Sequence, residues 1–443
     1  MIRKTAEKKL SKPSIYFITL LTASLISLFI YIFNPFDDGT FSDESVAKIY
    51  FTDHISDIYK ELIDEFNISN KGKIEVIPVH LPFEKFTTNE RKEILSRYLR
   101  SNDKVDIVSI DQIWVPRFAK WAQPLDTYFR DYLKDSLLSI ALKSCYYKEH
   151  LVAIPIHIDV AMMYYRKDLI NELPDHESLT KKLKESISWE EFIELGKKYN
   201  NKNPFYIFQA DDYEGLVCSF LEILQGQGKN LYENGRIQLN SPEAYMALQM
   251  LVDLVNKHKI SPPVVSAFRE NSSNNYFLKN NGIFLRGWPS FLKEFEKDSL
   301  HKRIVENLEI AALPHFKNIN PVYVLGGWNF MVSKYSNHKK EAVKFIKFMI
   351  SRQNQKRIFE ARQTLPVNAG IYKEENYLAE NKNLAFAYQL LNNGFCRPFI
   401  EDYTKVSDII SYYLYLAIKK QISVEDALKK ASEKIYLGQV LIR

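Results

Sequence analysis

Two tryptophans stand in similar settings. In "NGIFLRGWPSF" (281–291) and "VLGGWNFMVS" (324–333) a short apolar run is broken by glycine just before Trp288 and Trp328. Glycine weakens a strand unless something must approach its backbone, and an indole offers a flat apolar face with one polar edge. Asp111, Gln112 and Trp114 follow a continuous apolar run at 105–110, and Asp159 interrupts another at 150–170. Sugar recognition requires this kit: aromatic faces for the C–H side of the ring, and carboxylates or guanidinium groups for the hydroxyls. Any one of these residues alone reads as core filler or loop cap. Their recurrence at predicted strand ends, where open α/β sheets bind ligands, carries the argument.

Other chemistries find no support. The chain has no serine elbow, Walker loop or dinucleotide fingerprint. "GQGKN" (226–230) has the wrong spacing for a phosphate loop and reads as a turn. The acids of "DDYE" (211–214) are adjacent in sequence, so they read as a solvated loop or hydroxyl-binding edge and not as a pair straddling a scissile bond. The nine histidines are scattered, and His54 and His157 read as ordinary surface or core histidines. Cys145, Cys218 and Cys396 are far apart, without zinc spacing. They read as buried free thiols, with one disulfide at most available among them. The expectation is a non-catalytic binding protein without cofactor or metal.

The elements that must position these residues follow from length and pattern. At 443 residues the chain exceeds one ordinary core and suggests two to three lobes. The net charge of +6 is mild and spread, without the clustered basic stripe that nucleic-acid binding needs. Arg3, Lys4, Lys8, Lys9 and Lys12 precede an uncharged run at 14–33, and Asp37, Asp38, Asp43 and Glu44 follow it. As a helix, such a run spans about 30 Å, enough for a bilayer core. The asymmetry predicts a cytoplasmic tail (1–13), a retained anchor (14–33) and a polar linker (34–46), with the rest outside the cytoplasmic membrane. A cleaved signal peptide is the rival reading, disfavoured by the length of the run and the lack of a small-x-small site.

Beyond the linker, "KIYFT" (48–52), "KIEVIPVHL" (73–81) and "VDIVSI" (105–110) read as strands, with helices at 55–67 and 84–100 between them. This alternation predicts a doubly wound α/β lobe. Further strands lie within 150–170, interrupted near Pro155 and Asp159. Ser188 with Glu191 reads as a capping box, and Ser241 before Pro242 opens another helix. After residue 335 the pattern turns helical at 338–350, 352–360, 383–392, 404–420 and 423–436.

On these strings the chain resembles the family 1 extracellular solute-binding proteins of ABC importers, the maltose- and trehalose-binding members among them. The likeness spans about 48–438 and runs in family order through "VDIVSIDQIWVPRFAKWAQPLD", "HLVAIPIHIDVAMMYYRKDLI", "SWEEFIEL", "LNSPEAYMAL", "NYFLKNNGIFLRGWP", "VLGGWNFMVSKYS", "TLPVNAGIY", "RPFIEDYTKVSDII" and "SVEDALKKASEKI". The resemblance implies a periplasmic-binding-protein-like α/β fold, two lobes with a hinged cleft. It places 47–157 and 288–328 in lobe I, 158–287 and 329–443 in lobe II, with crossings near 157–160 and at the strands leading to Trp288 and Trp328. It implies a monomer that binds a sugar and docks on permease subunits driven by a cytoplasmic ATPase. It makes Trp288 and Trp328 aromatic platforms, Asp111 and Asp159 hydroxyl-binding carboxylates, Gly326 and Gly327 presenters of backbone, and Arg397 a late sugar contact. Gln112, Tyr213 and Arg286 are lesser candidates. The chain departs from the family at "FTDHISD", where a glycine-rich loop is missing and Asp53, His54 or Asp57 stands near the early contact carboxylate. His157 replaces an aromatic that often precedes the position of Asp159.

Overall fold

The computed structural model describes residues 20–24, 46–82, 85, 88–101, 105–130, 136–199, 203–296 and 300–441. The chain divides into two compact units, Met1–Val46 and Ala47–Arg443. In the first, residues 20–24 are helical and exposed. The expected tail and linker lie outside the described residues apart from Val46, as does the anchor apart from 20–24. Among the described residues no helix is long and apolar enough to cross a membrane. Among the described residues the hydrophobic core lies in the second unit.

That unit is built on two sheets. Strands β1 (Ala47–Asp53), β2 (Ile74–His80) and β3 (Ile107–Asp111) are parallel, with β1 in the middle, and β1 and β3 bury nearly every residue as a doubly covered sheet requires. Strand β4 (Ile154–Val160) extends this first sheet, and after Ala161 alone the chain enters β5 (Met162–Arg166) of the second. Strands β6 (Tyr206–Ile207), β7 (Phe284–Gly287) and β8 (Leu308–Ala311) complete the second sheet in the order β8-β5-β7-β6. The long β9 (Tyr323–Val332) returns to the first sheet and runs antiparallel between β3 and β4. β10 (Leu365–Pro366) pairs with β4, and β11 (Gly394–Phe395) with the start of β9.

Helices cover both sheets. α1 (Asp57–Ser69) and α2 (Thr88–Ser101) follow β1 and β2. α3 (Glu214–Gln225), α4 (Pro242–Asn256) and α5 (Glu270–Lys279) belong to the second lobe. α6 (Lys339–Met349) and α7 (Arg352–Arg362) lie on the first lobe, while α8 (Lys382–Leu391), α9 (Tyr403–Ile418) and α10 (Val424–Tyr436) complete the chain. Ser188 accepts from Glu191 N at 3.2 Å and Ser241 from Ala244 N at 3.1 Å, so both expected caps form. Each lobe has its own aromatic nucleus. In the first, Phe51 lies 5.2 Å from Phe330 and 5.4 Å from Phe345, centroid to centroid. In the second, Phe284 lies 5.0 Å from both Phe192 and Phe205. Each such buried ring contributes about 1.5–3 kcal/mol.

The strand pairings move the expected lobe boundaries. Segment 288–311 stays with the second lobe, because β7 and β8 both pair with β5. Residues 329–332 stay with the first, because β9 pairs with β3 through Val332. The chain therefore crosses at 160–162, between β8 and β9, and after β11, and not at Trp288 or Trp328. A strand's composition shows that it is buried, but partners distant in sequence decide in which sheet. Cys145 and Cys218 are buried free thiols as expected, whereas Cys396 is exposed.

Candidate functional site

Asp53 and Asp111 end the parallel strands β1 and β3, and β4 and β9 bring further groups beside them. In the antiparallel register Trp328 stands opposite Asp111 on one side and His157 on the other, and Gly326 stands opposite Asp159. The register slips between Trp328 and Asn329, next to Pro155, which has no N–H to donate. Gly327 takes φ +140°, and a Cβ there would lie 2.6 Å from His157 O. A Cβ on Gly326 would lie 3.3 Å from the Trp288 ring and 3.5 Å from the Asp159 Cβ. The two glycines thus answer to the protein's own packing, which accounts for them without a sugar at their backbone. The same geometry lays the indole of Trp288, from the second lobe, against the first-lobe strand beside Asp159.

Each aromatic platform has its own support. Trp328 is half-buried, with Trp114 edge-on at 5.6 Å and the Arg91 guanidinium 5.2 Å from its ring centroid. Trp288 is held by Tyr164 Oη, which donates to its carbonyl at 2.7 Å, and by the Arg286 guanidinium 4.5 Å from its ring.

The charged groups fall into two sets. Asp159, His157, Asp53, Arg91 and Arg362 form the first. His157 Nε2 lies 3.5 Å from Asp159 Oδ2, and His157 Nδ1 is buried without a hydrogen-bond partner. Burial pushes the Asp159 carboxyl up to about 7, with Arg362 opposing and Asp111 and Glu294 reinforcing the rise. Burial, with Arg362 adding, holds the His157 imidazole well below its ordinary value, so it is neutral near pH 7. Asp53 is also raised by burial, against Arg91 at 3.6 Å and Arg362.

The second set is Arg397 with Asp111 and Glu214. Arg397 Nη2 lies 3.2 Å from Asp111 Oδ1, and Nη1 lies 2.9 Å from Glu214 Oε1. Asp111 ends a first-sheet strand and Glu214 opens α3 of the second lobe, so this one guanidinium bridges the lobes. Tyr403 Oη and Ser407 Oγ complete the shell of Glu214.

The structure therefore gathers Asp111, Gln112, His157, Asp159, Trp288, Gly326, Gly327, Trp328 and Arg397 at one place, and reassigns several. Arg397 is engaged by two carboxylates. Gln112 Nε2 donates to Leu325 O at 2.6 Å. Arg286 is fully buried and paired with Glu222 at 2.6 Å, so it acts through Trp288. The Tyr213 ring folds back on Gly215, where a Cβ would meet its hydroxyl at 2.1 Å. Asp57 has a side chain 94% exposed, paired with Lys60 at the surface, and is not part of the site. The His54 ring packs on His80, and His54 N donates to Asp53 Oδ1 at 2.6 Å, which leaves Asp53 as the loop's carboxylate at the strand end. Of the acids in 211–214, Asp211 pairs with Arg269 at 2.7 Å and Asp212 accepts from Ser411 at 2.7 Å. Arg91 and Arg362 were not foreseen, and Glu214 was read only as one acid of the 211–214 segment. All three lie on helices, where basic and acidic residues ordinarily signal a solvated face, and nothing local marks them as inward.

The arrangement sets aromatic faces from both lobes around buried and half-buried polar groups. Residues 52–356 match the family model described as bacterial extracellular solute-binding protein. A probable ABC transporter-binding protein of Deinococcus radiodurans is 30% identical over 285 residues, 63% of this chain and 67% of that protein. The maltose-bound MalE3 of T. maritima has a TM-score of 0.79 and 27% identity, over 88% of this chain and 100% of that one. A cyclic α-maltosyl-1,6-maltose binding protein from Arthrobacter globiformis shares the fold at a TM-score of 0.71 and 20% identity, over 89% of this chain and 99% of that one. Two sheets exchanging strands around a tryptophan-lined site, and a family model matching most of the chain, lead to one conclusion: this protein belongs to the bacterial extracellular solute-binding protein family.

Proposed function

We propose that this protein is the solute-binding component of an ABC importer, tethered outside the cytoplasmic membrane by the 14–33 segment. Its cargo is a di- or oligosaccharide of the maltose or trehalose type. One observation carries the reading: Trp288 of one lobe stands beside Asp159 and Trp328 of the other beside His157 and Asp111, in a site that also holds Asp53 and Arg362. Stacked indoles would take the apolar faces of the sugar rings, and the buried carboxyls and Arg362 their hydroxyls. The relatives that bind maltose and a cyclic maltosyl-maltose support this class of cargo. Closure about the crossings would present the loaded form, as a monomer, to two permease subunits.

Isothermal titration of the 47–443 unit with trehalose, maltose, sucrose, maltotriose and glucose tests the reading. Micromolar or tighter binding of one of them, about −8 kcal/mol, is expected. Trp288→Ala with Trp328→Ala should abolish it while the thermal transition persists. Unchanged affinity in that double variant would sink the site assignment. A second reading is a tethered sugar receptor that reports to a partner without delivering cargo. The altered first loop, where Asp53 is engaged by Arg91, favours it. Under that reading, deletion leaves uptake of the radiolabelled sugar intact and changes transcription.

A further inference from the structure

The site lies at the carboxyl ends of β1 and β3, and the opposite end of the same sheet has a different chemistry. Lys71 and Lys73 lie in the turn leading into β2, and Ala47 N donates to Lys73 O at 2.9 Å, so the chain enters the 47–443 unit beside this turn. Lys344 Nζ donates to Asn70 Oδ1 at 2.6 Å, which brings α6, with Lys339 and Lys340 at its start, against the same turn. β9 ends here too: Val332 stands opposite Ile107, the first residue of β3, and Ser333 N donates to Asp106 O at 2.8 Å. Lys334 follows, its N–H on Trp121 O at 2.8 Å and its Nζ on Lys120 O at 2.7 Å. Lys120 Nζ lies 4.5 Å from the Trp121 ring centroid, and Lys334 Nζ 5.1 Å from that of Tyr335, a side chain on a residue 44% exposed.

Lys71, Lys73, Lys120, Lys334, Lys339 and Lys340 thus ring one end of the sheet. Among the described residues none of them is in an ion pair. Elsewhere surface lysines find carboxylates readily, as Lys182, Lys197, Lys229 and Lys293 do at 2.5–2.7 Å. Asp106, just before β3, is buried and taken up by Tyr50 N and Ser336 Oγ. Lysines without carboxylate partners, interleaved with a tryptophan and a tyrosine, suit an interface of phosphate headgroups and acyl chains, where cations meet the phosphates and amphipathic rings settle between.

We propose that this end of the first lobe rests on the anionic phospholipid surface of the membrane, through these lysines with Trp121 and Tyr335. The proposal rests on the tethered, outward placement proposed above. The length of the connection supports it: residues 34–46 separate the apolar run from Ala47 and extend at most about 45 Å, or about 20 Å as a flexible coil. A connection of that length lets this end reach a bilayer surface. The linker itself carries Asp37, Asp38, Asp43 and Glu44 and is the rival occupant of the lysine ring.

Sedimentation with vesicles decides the matter, using 47–443 and 34–443 side by side. Both should bind phosphatidylcholine vesicles containing phosphatidylglycerol, ignore pure phosphatidylcholine, and release in about 0.5 M salt. Joint Lys71→Glu, Lys73→Glu, Lys334→Glu and Lys340→Glu should lower partitioning by more than about a hundredfold, at about fivefold per lysine. Trp121→Ala with Tyr335→Ala should lower it without changing its salt dependence. Lys429→Glu with Lys430→Glu, on α10 of the other lobe, should leave it unchanged, and all variants should titrate sugar as the parent does. Three results would overturn the proposal: no partitioning by 47–443, equal loss in both charge reversals, or binding by 47–443 that vanishes when 34–46 is present. Whether segment 14–33 is retained is answered separately, by fractionation of the full chain, so the two readings fail independently.

Discussion

Asp159 is the residue on which the chemistry of the site turns. Burial raises its carboxyl from 3.8 to about 7, so it is half-protonated near neutrality. Its folded value lies above its unfolded one. Its contribution to stability is therefore full below about pH 4 and is lost as the pH rises through about 7. A sugar whose hydroxyls donate to the carboxylate draws that value down again. Affinity should then rise about tenfold from pH 6 to pH 8, and Asp159→Asn should flatten the profile. His157 does not titrate in this window, because burial keeps it neutral. Calorimetry at three pH values checks this, and a slope that survives in Asp159→Asn would show that another group is responsible. At this scale the sequence was informative about types and poor about roles. Asp111, Asp159, Trp288 and Trp328 are at strand ends or breaks, which patterning reveals. Whether Arg397 or Arg286 faces ligand or a carboxylate depends on Glu214 and Glu222, far away in the chain, and no local pattern encodes it.

Among the elements, β9 does the most. It reaches from β11 at one end to β3 at the other and carries Gly326, Gly327 and Trp328 on one continuous run. Gly327→Ala would combine φ +140° with a Cβ 2.6 Å from His157 O. We expect a loss of about 2–4 kcal/mol, read from urea unfolding, with weakened ligand binding as Trp328 shifts. Gly72→Ala is the control, since its φ is also positive but open space surrounds it. It should cost about 1 kcal/mol and leave affinity alone. The elements were the most legible part of the chain. The expected helices after 335 match α6 to α10 to within a few residues, because caps and amphipathic spacing are local. The assignment of β7, β8 and the second half of β9 to lobes was not legible, because pairing is a relation between segments.

For the whole molecule, the bridge from Asp111 through Arg397 to Glu214 links the lobes. Arg397→Met would leave two half-buried carboxylates without their cation, a loss of about 1–3 kcal/mol. It should also free the lobes to separate. Small-angle scattering of ligand-free protein should give a larger radius of gyration for the variant, closing again on saturation with sugar. An unchanged radius and an unchanged melting temperature would mean that the bridge holds nothing together.

Only Ala161 separates β4 from β5, and its N–H is held by Val324 O at 3.0 Å. A joint that short and that firmly pinned has no slack for sliding. It would favour rotation about a line through the seam over sliding. Jaws turning on such a line open as a wedge, wide at the rim and narrow at the back. A rod-shaped guest fits a wedge lengthwise, parallel to its spine, where every unit along the rod meets the same clearance. An added sugar unit would therefore emerge at the side of the cleft and not force the jaws apart, so closure is compatible with guests of several lengths.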